Sequence, residues 1–315
     1  MRRPFILSGV LCLATIGMAH AVVVATGDGT QNTTAPSDDF GFANVGRVFN
    51  TADGFYNSGV YLGNGWVLTA YHVVRNASLS GFQFGDVVFH DPILGDTTFA
   101  ANPATAVRLQ NSDSTFTDLA LFQLSTVPTF LSAIPIATSL PSNGSTVTMA
   151  GDGVNRQSGL TYWNIDSSNV WSETGPPPPP RDASGYKETQ GSQTLRWGTN
   201  TIDSQNSTIN AGFGNLTVLT TDFDNTTNQA QGAAGDSGGG VFYKNGSTWE
   251  LAGIMDATAS FTGQPDFTAV FGDETFAASL PAYRAQITAT IPEPGSVGLG
   301  LAGMAVLGCR RRRKN

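Results

Sequence analysis

The chain has 315 residues and a formal charge of −8, with 16 Lys and Arg against 24 Asp and Glu, 40% hydrophobic content, 37 Gly and 13% charged residues. That balance suits a globular, turn-rich, β-dominated chain and excludes a disordered one. Cys12 and Cys309 lie in terminal apolar segments, which leaves a cysteine-free body and excludes a disulfide-stapled scaffold, a thiolate zinc site and a cysteine nucleophile there.

Met1-Arg2-Arg3 is a basic start, Pro4 to Gly17 is largely apolar, and Ala19-His20-Ala21 has the small-x-small pattern read by signal peptidase. Residues 1–21 therefore read as a secretory signal peptide cut after Ala21, with an uncut signal anchor as the alternative. Residues 22–44, polar and rich in Gly, Thr and Asn from Thr26 to Asp39, read as a flexible lead-in. Ser58–Leu62, Gly63-Asn64-Gly65 and Trp66–Ala70 read as a β-hairpin around a turn that tolerates positive φ. Further strands are expected at 86–89, 104–109, 119–124, 145–150, 195–199, 215–221, 239–243, 249–255 and 267–271. Only 280–288 reads as a helix. Many short strands without intervening amphipathic helices make an all-β barrel or sandwich. The stretch 171–193 contains Pro176 to Pro180, cannot donate to a ladder there, and reads as an inserted surface loop.

At the C-terminus Ile291-Pro292-Glu293-Pro294 is followed by an apolar run, 295–309, and then by Arg310 to Lys314. Fifteen apolar residues are short against the ~20 of a membrane-spanning helix, and the cations behind them favour the cytoplasmic side. The segment reads as a transient inner-membrane anchor. In order and position these parts resemble the PEP-CTERM sorting signal. The resemblance implies a Gram-negative source, cutting near Pro292-Glu293-Pro294 by an exosortase, and delivery of an exported protein to the cell surface or beyond. Removing both ends drops seven basic residues and Glu293, leaving 9 basic and 23 acidic, a body near −14. Such a surface repels nucleic acid and anionic lipid heads. Phosphate-binding loops and dinucleotide fingerprints are missing, and Asp222-Phe223-Asp224-Asn225 lacks the spacing of a calcium loop.

Chemistry gathers in three places. Leu68-Thr69-Ala70-Tyr71-His72 sets an imidazole just after an apolar strand, Thr117-Asp118-Leu119-Ala120-Leu121 sets an acid at the head of another, and Gly235-Asp236-Ser237-Gly238-Gly239 sets a serine between glycines. A hydroxyl becomes a nucleophile when an imidazole takes its proton, and the imidazole needs an acid on its other nitrogen. The N–H groups of Gly235 and Ser237 could turn inward as an oxyanion hole. His90, in Val88-Phe89-His90-Asp91-Pro92, and Asp113, in a polar run, lack such contexts and read as bystanders.

These motifs, in the order His, Asp, Ser, resemble the chymotrypsin/trypsin-like serine endopeptidases over about 45–290. The resemblance implies an all-β fold of two antiparallel six-stranded barrels, about 45–135 and 141–280, with a short closing helix. It also implies peptide hydrolysis in the cleft between them without metal or cofactor: His72 as base, Asp118 as its orienter, Ser237 as nucleophile. A monomer acting on polypeptides is expected. Several positions depart from the family pattern. Val73 replaces a cysteine, and no Ile-Val-Gly-Gly start offers a new N-terminus to the acid before the nucleophile, so the partner of Asp236 stays open. Gln231 stands at the floor of the expected substrate pocket. Asp256-Ala257-Thr258 replaces Ser-Trp-Gly, with Asp256 and Thr258 expected on the pocket wall. A protease-like binding or matrix protein that has lost turnover is the alternative.

Overall fold

The computed structural model describes residues 22–291. The leader, the Pro-Glu-Pro tail and the expectations attached to them lie outside these residues. A two-residue strand, β1 (Val23–Val24), precedes β2 (Val45–Asn50), β3 (Phe55–Gly63), β4 (Trp66–Ala70), a single helical turn α1 (Tyr71–Val74), β5 (Phe84–Asp91), β6 (Gly95–Phe99), β7 (Ala101–Gln110) and β8 (Phe116–Leu124). Strands β2 to β8 form one seven-stranded antiparallel sheet in the order β6-β5-β2-β3-β4-β8-β7. This differs from the six-stranded closed barrel expected for 45–135. Its two edges, β6 and β7, are separated in sequence only by Ala100, so the sheet must curl until its edges meet, yet no ladder joins them.

The second half continues with β9 (Thr146–Gly151), β10 (Val154–Arg156), β11 (Thr161–Ile165), β12 (Trp171–Thr174), β13 (Ala183–Gln193), β14 (Arg196–Ile209), β15 (Leu216–Asp222), β16 (Ala230–Gln231), β17 (Gly240–Asn245), β18 (Thr248–Ala259), β19 (Thr268–Val270), β20 (Glu274–Ser279) and α2 (Leu280–Thr290). Six of these strands close a barrel in the order β14-β15-β20-β18-β17-β9, as expected. Among the described residues no helix is long and apolar enough to cross a membrane.

Strict alternation on two strands divides the cores. On β4 and β8, Trp66, Leu68, Leu119 and Leu121 face a core shared with Phe242, Ile254 and Tyr283 of the second half. Their neighbours Val67, Ala120 and Phe122 fill the inside of the first sheet. Each such side chain, fully buried, contributes roughly 1.5–3 kcal/mol. Both faces of these strands are therefore covered, which explains runs without polar interruption.

Two expectations are corrected. The proline stretch is not a strandless loop: β12 and β13 flank an exposed turn at 175–182 and join β10, β11 and β19 in an additional five-stranded sheet, where Trp163 and Tyr186 are buried. Only the prolines themselves stay off the ladder, as their missing N–H requires. Nor is 22–44 a loose lead-in. Val22 to Ala25 are buried, β1 pairs with β16 through Val23↔Gln231 and Val24↔Ala230, and the Phe40 ring packs 4.7 Å from that of Phe242.

Candidate active site

Sheet register brings the imidazole and the acid together. Ala70 at the end of β4 pairs with Leu119 of β8, so His72, two residues on in α1, faces Asp118, one residue back. Asp118 then holds His72 twice: Oδ1 accepts from the His72 main-chain N–H at 2.8 Å and Oδ2 lies 2.9 Å from Nδ1. An acid on Nδ1 leaves Nε2 with the lone pair a base needs. The Phe213 ring, from the β14–β15 connection, lies 5.2 Å from the imidazole and nearly parallel to it. The acid is 1% exposed and the imidazole side chain 19%, so the ring alone reaches the surface.

Ser237 comes from the loop between β16 and β17, and its hydroxyl donates to the main-chain O of Asp256 at 3.5 Å rather than to His72. The loop is braced by the first sheet. Ser58 N–H donates to Ser237 O at 2.9 Å, Ser58 Oγ donates to Gly235 O at 2.6 Å, and Thr69 Oγ1 donates to Ser58 O at 2.7 Å. Gly238 is required where the two halves touch: its φ is +87°, and a Cβ there would lie 2.0 Å from Ser58 O and 2.1 Å from Thr69 Oγ1. Within the loop the N–H groups of Asp236, Gly238 and Gly239 are taken by Ala233 O, Met255 O and Asp236 O. Those of Gly235 and Ser237 meet no acceptor among the described residues. The bracing role of Ser58 escapes sequence reading, since nothing local marks it; Thr69 is legible only as part of the histidine motif.

Two buried acids flank the serine. Asp236 receives the main-chain N–H of Ala233 on Oδ2 at 2.9 Å, and the main-chain N–H of Val22 also points at its carboxyl. The partner left open in the sequence is thus the main chain of Val22. Burial pushes the Asp236 carboxyl well above the ordinary carboxylate range. Asp256 lies in a bulge of β18, where the register with β20 shifts between Met255 and Ala257. Burial, and next the negative charge of Asp118, push its carboxyl well up too.

A small pocket, with room of only about 10 Å³, is lined by Ser237, Ala233, Met255, Thr258 and Thr275 together with Asp236 and Asp256. Thr258 lies on its wall. Gln231 lies outside it, with Oε1 accepting from Thr275 Oγ1 at 3.0 Å and Nε2 donating to the main chain of Glu274. Asp256 borders the cavity, and burial, with the nearby Asp118 charge, favours its neutral form. Thr275, which no sequence feature marked, takes the position nearest to Gly232, whose N–H it accepts at 2.9 Å.

His72, Asp118 and Asp256 present ligand atoms within 4.8 Å of one another, a spacing compatible with a metal ion. Both oxygens of Asp118 are already committed to His72. His90 is exposed and pairs with Asp96 at 3.0 Å, and Asp113 is exposed and bonds Thr115, so neither enters the site. A larger groove lined by Arg47, His90, Asp96 and Asp152 shares no residue with the pocket at Ser237.

Compared with known proteins, residues 57–254 match the family described as "Trypsin-like peptidase domain" and residues 290–314 match the "PEP-CTERM protein-sorting motif". No curated protein matches the chain. Among solved structures the chain is similar to neuropsin, a serine protease expressed in the limbic system of mouse brain, at 15% identity over 83% of this chain and 98% of that one, with a TM-score of 0.48.

Proposed function

The chain belongs to the trypsin-like peptidase family, and on that premise we propose that it is an exported serine endopeptidase that hydrolyses peptide bonds through Ser237, His72 and Asp118. The peptidase domain implies peptide substrates, and the sorting motif implies export, processing by an exosortase, and a place at the cell surface or outside it. The observation that carries the finer reading is the double hold of Asp118 on His72, which commits Nδ1 and leaves Nε2 to serve as the base.

In the proposed cycle the Ser237 hydroxyl attacks the scissile carbonyl carbon while His72 Nε2 takes its proton. The carbonyl oxygen becomes an oxyanion, and the free N–H groups of Gly235 and Ser237 are placed to receive it. His72 returns the proton to the leaving amine, and the C–N bond breaks. A water then attacks the acyl-serine, again losing its proton to His72, and the acid product leaves with Ser237 restored. None of these steps draws on a cofactor, and the protein is taken to act as a monomer.

Export would also complete the site. Cutting after Ala21 by signal peptidase would leave Val22 with an α-ammonium at the place where its N–H now points at the Asp236 carboxyl. A cation there offsets the cost of ionising a wholly buried acid, and Asp236 adjoins Ser237 in the loop whose N–H groups are to bind the oxyanion.

A fluorophosphonate probe tests the reading without knowledge of the natural substrate. Wild type is expected to be labelled and Ser237→Ala to be silent, with turnover of peptides lowered about a millionfold. Equal labelling of Ser237→Ala would sink the assignment. A second reading, a protease-like surface binding or matrix protein, is favoured by the hydroxyl pointing to Asp256 O. It predicts a wild type that is not labelled, or is labelled yet cleaves no peptide of a broad library.

A further inference from the structure

Asp256 poses a problem of charge. It is 5% exposed, and neither of its carboxyl oxygens meets an N–H or O–H donor among the described residues. Its nearest ionisable neighbour is another carboxylate, Asp118, with His72 immediately behind it. An ionised carboxylate in that position would carry the full cost of desolvation with no hydrogen bond to offset it, and would face a like charge as well. A neutral carboxyl has the opposite need, since its O–H must find an acceptor. Asp118 is that acceptor: each of its oxygens spends one lone pair on His72, at 2.8 Å and 2.9 Å, and keeps another.

We propose that Asp256 is a positioning residue that shares a proton with Asp118, its neutral carboxyl donating O–H to an Asp118 oxygen and so holding the acid in register on His72. The proposal rests on the triad reading above. The bulge in β18 makes it possible, because the extra residue of a bulge leaves the ladder and re-aims its side chain. The same residue reaches the nucleophile through its main-chain O, 3.5 Å from Ser237 Oγ. Asp256 thus touches both the acid and the serine from one bulge.

The charge count agrees with this role. Two acids sharing one proton carry a single negative charge, the same as one aspartate, so the imidazolium that forms during attack meets its usual counter-ion. Two ionised acids would hold His72 protonated to higher pH and weaken it as a base. Facing this pair are His72 from α1 and Asp236 across the cavity, while Arg108 on β7 feels Asp118 through its charge. Burial and the Asp118 charge both hold the Asp256 proton in place.

The test measures the second-order rate of fluorophosphonate inactivation against pH for wild type, Asp256→Asn and Asp256→Leu, with Ser237→Ala alongside. An amide keeps a donor and the same charge, so Asp256→Asn is expected to stay within about threefold of wild type, with the midpoint of its acid limb unmoved. Leucine keeps the branched shape and loses the donor, so Asp256→Leu is expected to fall about 10- to 100-fold, the loss of one hydrogen bond to a charged group. A downward move of the acid limb by about one unit or more in Asp256→Asn would show that wild-type Asp256 is ionised and would overturn the proposal. So would wild-type reactivity in Asp256→Leu. Circular dichroism checks folding, and if the leucine variant does not fold, the asparagine pH profile decides alone. Labelling of Ser237→Ala overturns the triad reading instead; a silent Ser237→Ala beside a fully reactive Asp256→Leu overturns only the shared proton.

Discussion

The two halves of the molecule bring their residues to the site by different physical means. In the first sheet, His72 and Asp118 sit next to each other because β4 and β8 are hydrogen-bonded neighbours and Ala70 pairs with Leu119. Their geometry is a property of one ladder, with apolar residues packed on both its faces. In the second half, Ser237 rides on a glycine loop that makes no ladder of its own, and its shape depends on Ser58, Thr69 and Val22, all distant in sequence. A rigid element carries the proposed base, and a loop held from outside carries the proposed nucleophile. Damage to the loop's supports should therefore abolish chemistry while the fold persists.

Three changes probe that contrast. The largest effect is expected for Gly238→Ala, where φ is +87° and the new Cβ would drive into Ser58 O. Displacing both oxyanion donors should lower kcat/KM by about 10³-fold or more, with the far-ultraviolet spectrum of the protein unchanged. Wild-type kcat/KM in this variant would mean that the halves do not meet as closely as described. Next comes the start of the chain. Mature protein carrying two extra residues before Val22 cannot place an α-ammonium on Asp236, and its rate of probe labelling is expected to drop about 10- to 100-fold, the loss of one buried charged contact. Equal labelling of the extended and the Val22-first forms would separate export from activation.

The smallest effect on activity is expected for Asp273, which lies in the second half but outside the site. Its Oδ2 accepts from Val270 N–H at 2.8 Å and Gln264 Nε2 at 2.9 Å, yet burial pushes its pKa up to about 7. Against about 3.9 for an unfolded aspartate, the proton is bound more tightly in the folded chain. Its contribution to stability is therefore complete below about pH 4 and is lost as pH rises through about 7. Asp273→Asn cannot ionise, so its unfolding free energy should fall less between pH 4 and 8 than that of wild type, by up to about 4 kcal/mol at the upper limit, and its Tm should fall correspondingly less. Labelling by the probe should not change. Thermal unfolding at several pH values reads this directly, and identical slopes in the two proteins would remove Asp273 as the cause. Asp152, raised to about 6 by burial beside Arg47, adds a slope of the same sign.

Legibility in the sequence follows the same division. Strands β4, β8, β9, β15, β17 and β18 were visible because continuous apolar runs between Gly, Asn and Pro mark a strand buried on both faces. Strands β6 and β10 to β12 were missed because their runs are short, polar and half-exposed, and only pairing with a neighbour makes them strands. The lead-in was misjudged for a related reason: Val22-Val23-Val24 is too brief to register as a strand, and its ladder partner, Ala230-Gln231, is some two hundred residues away. The candidate triad could be nominated from motifs because each residue sits in a local context that its chemistry requires. The cavity could not, since Thr275 and Ala233 are ordinary residues until the barrel closes around Ser237.

What the sequence by itself determined was the β class, the order of the three motifs and the C-terminal sorting motif, all of which depend on composition or on residues within a few positions of one another. Only the tertiary structure decided that the first sheet stays open while the second barrel closes, that Val22 reaches Asp236, and that Asp256 is buried beside Asp118 without a donor. Each of these depends on contacts between residues far apart in the chain, where burial without a donor or a charge partner sets the protonation state. Local pattern carries no record of that burial.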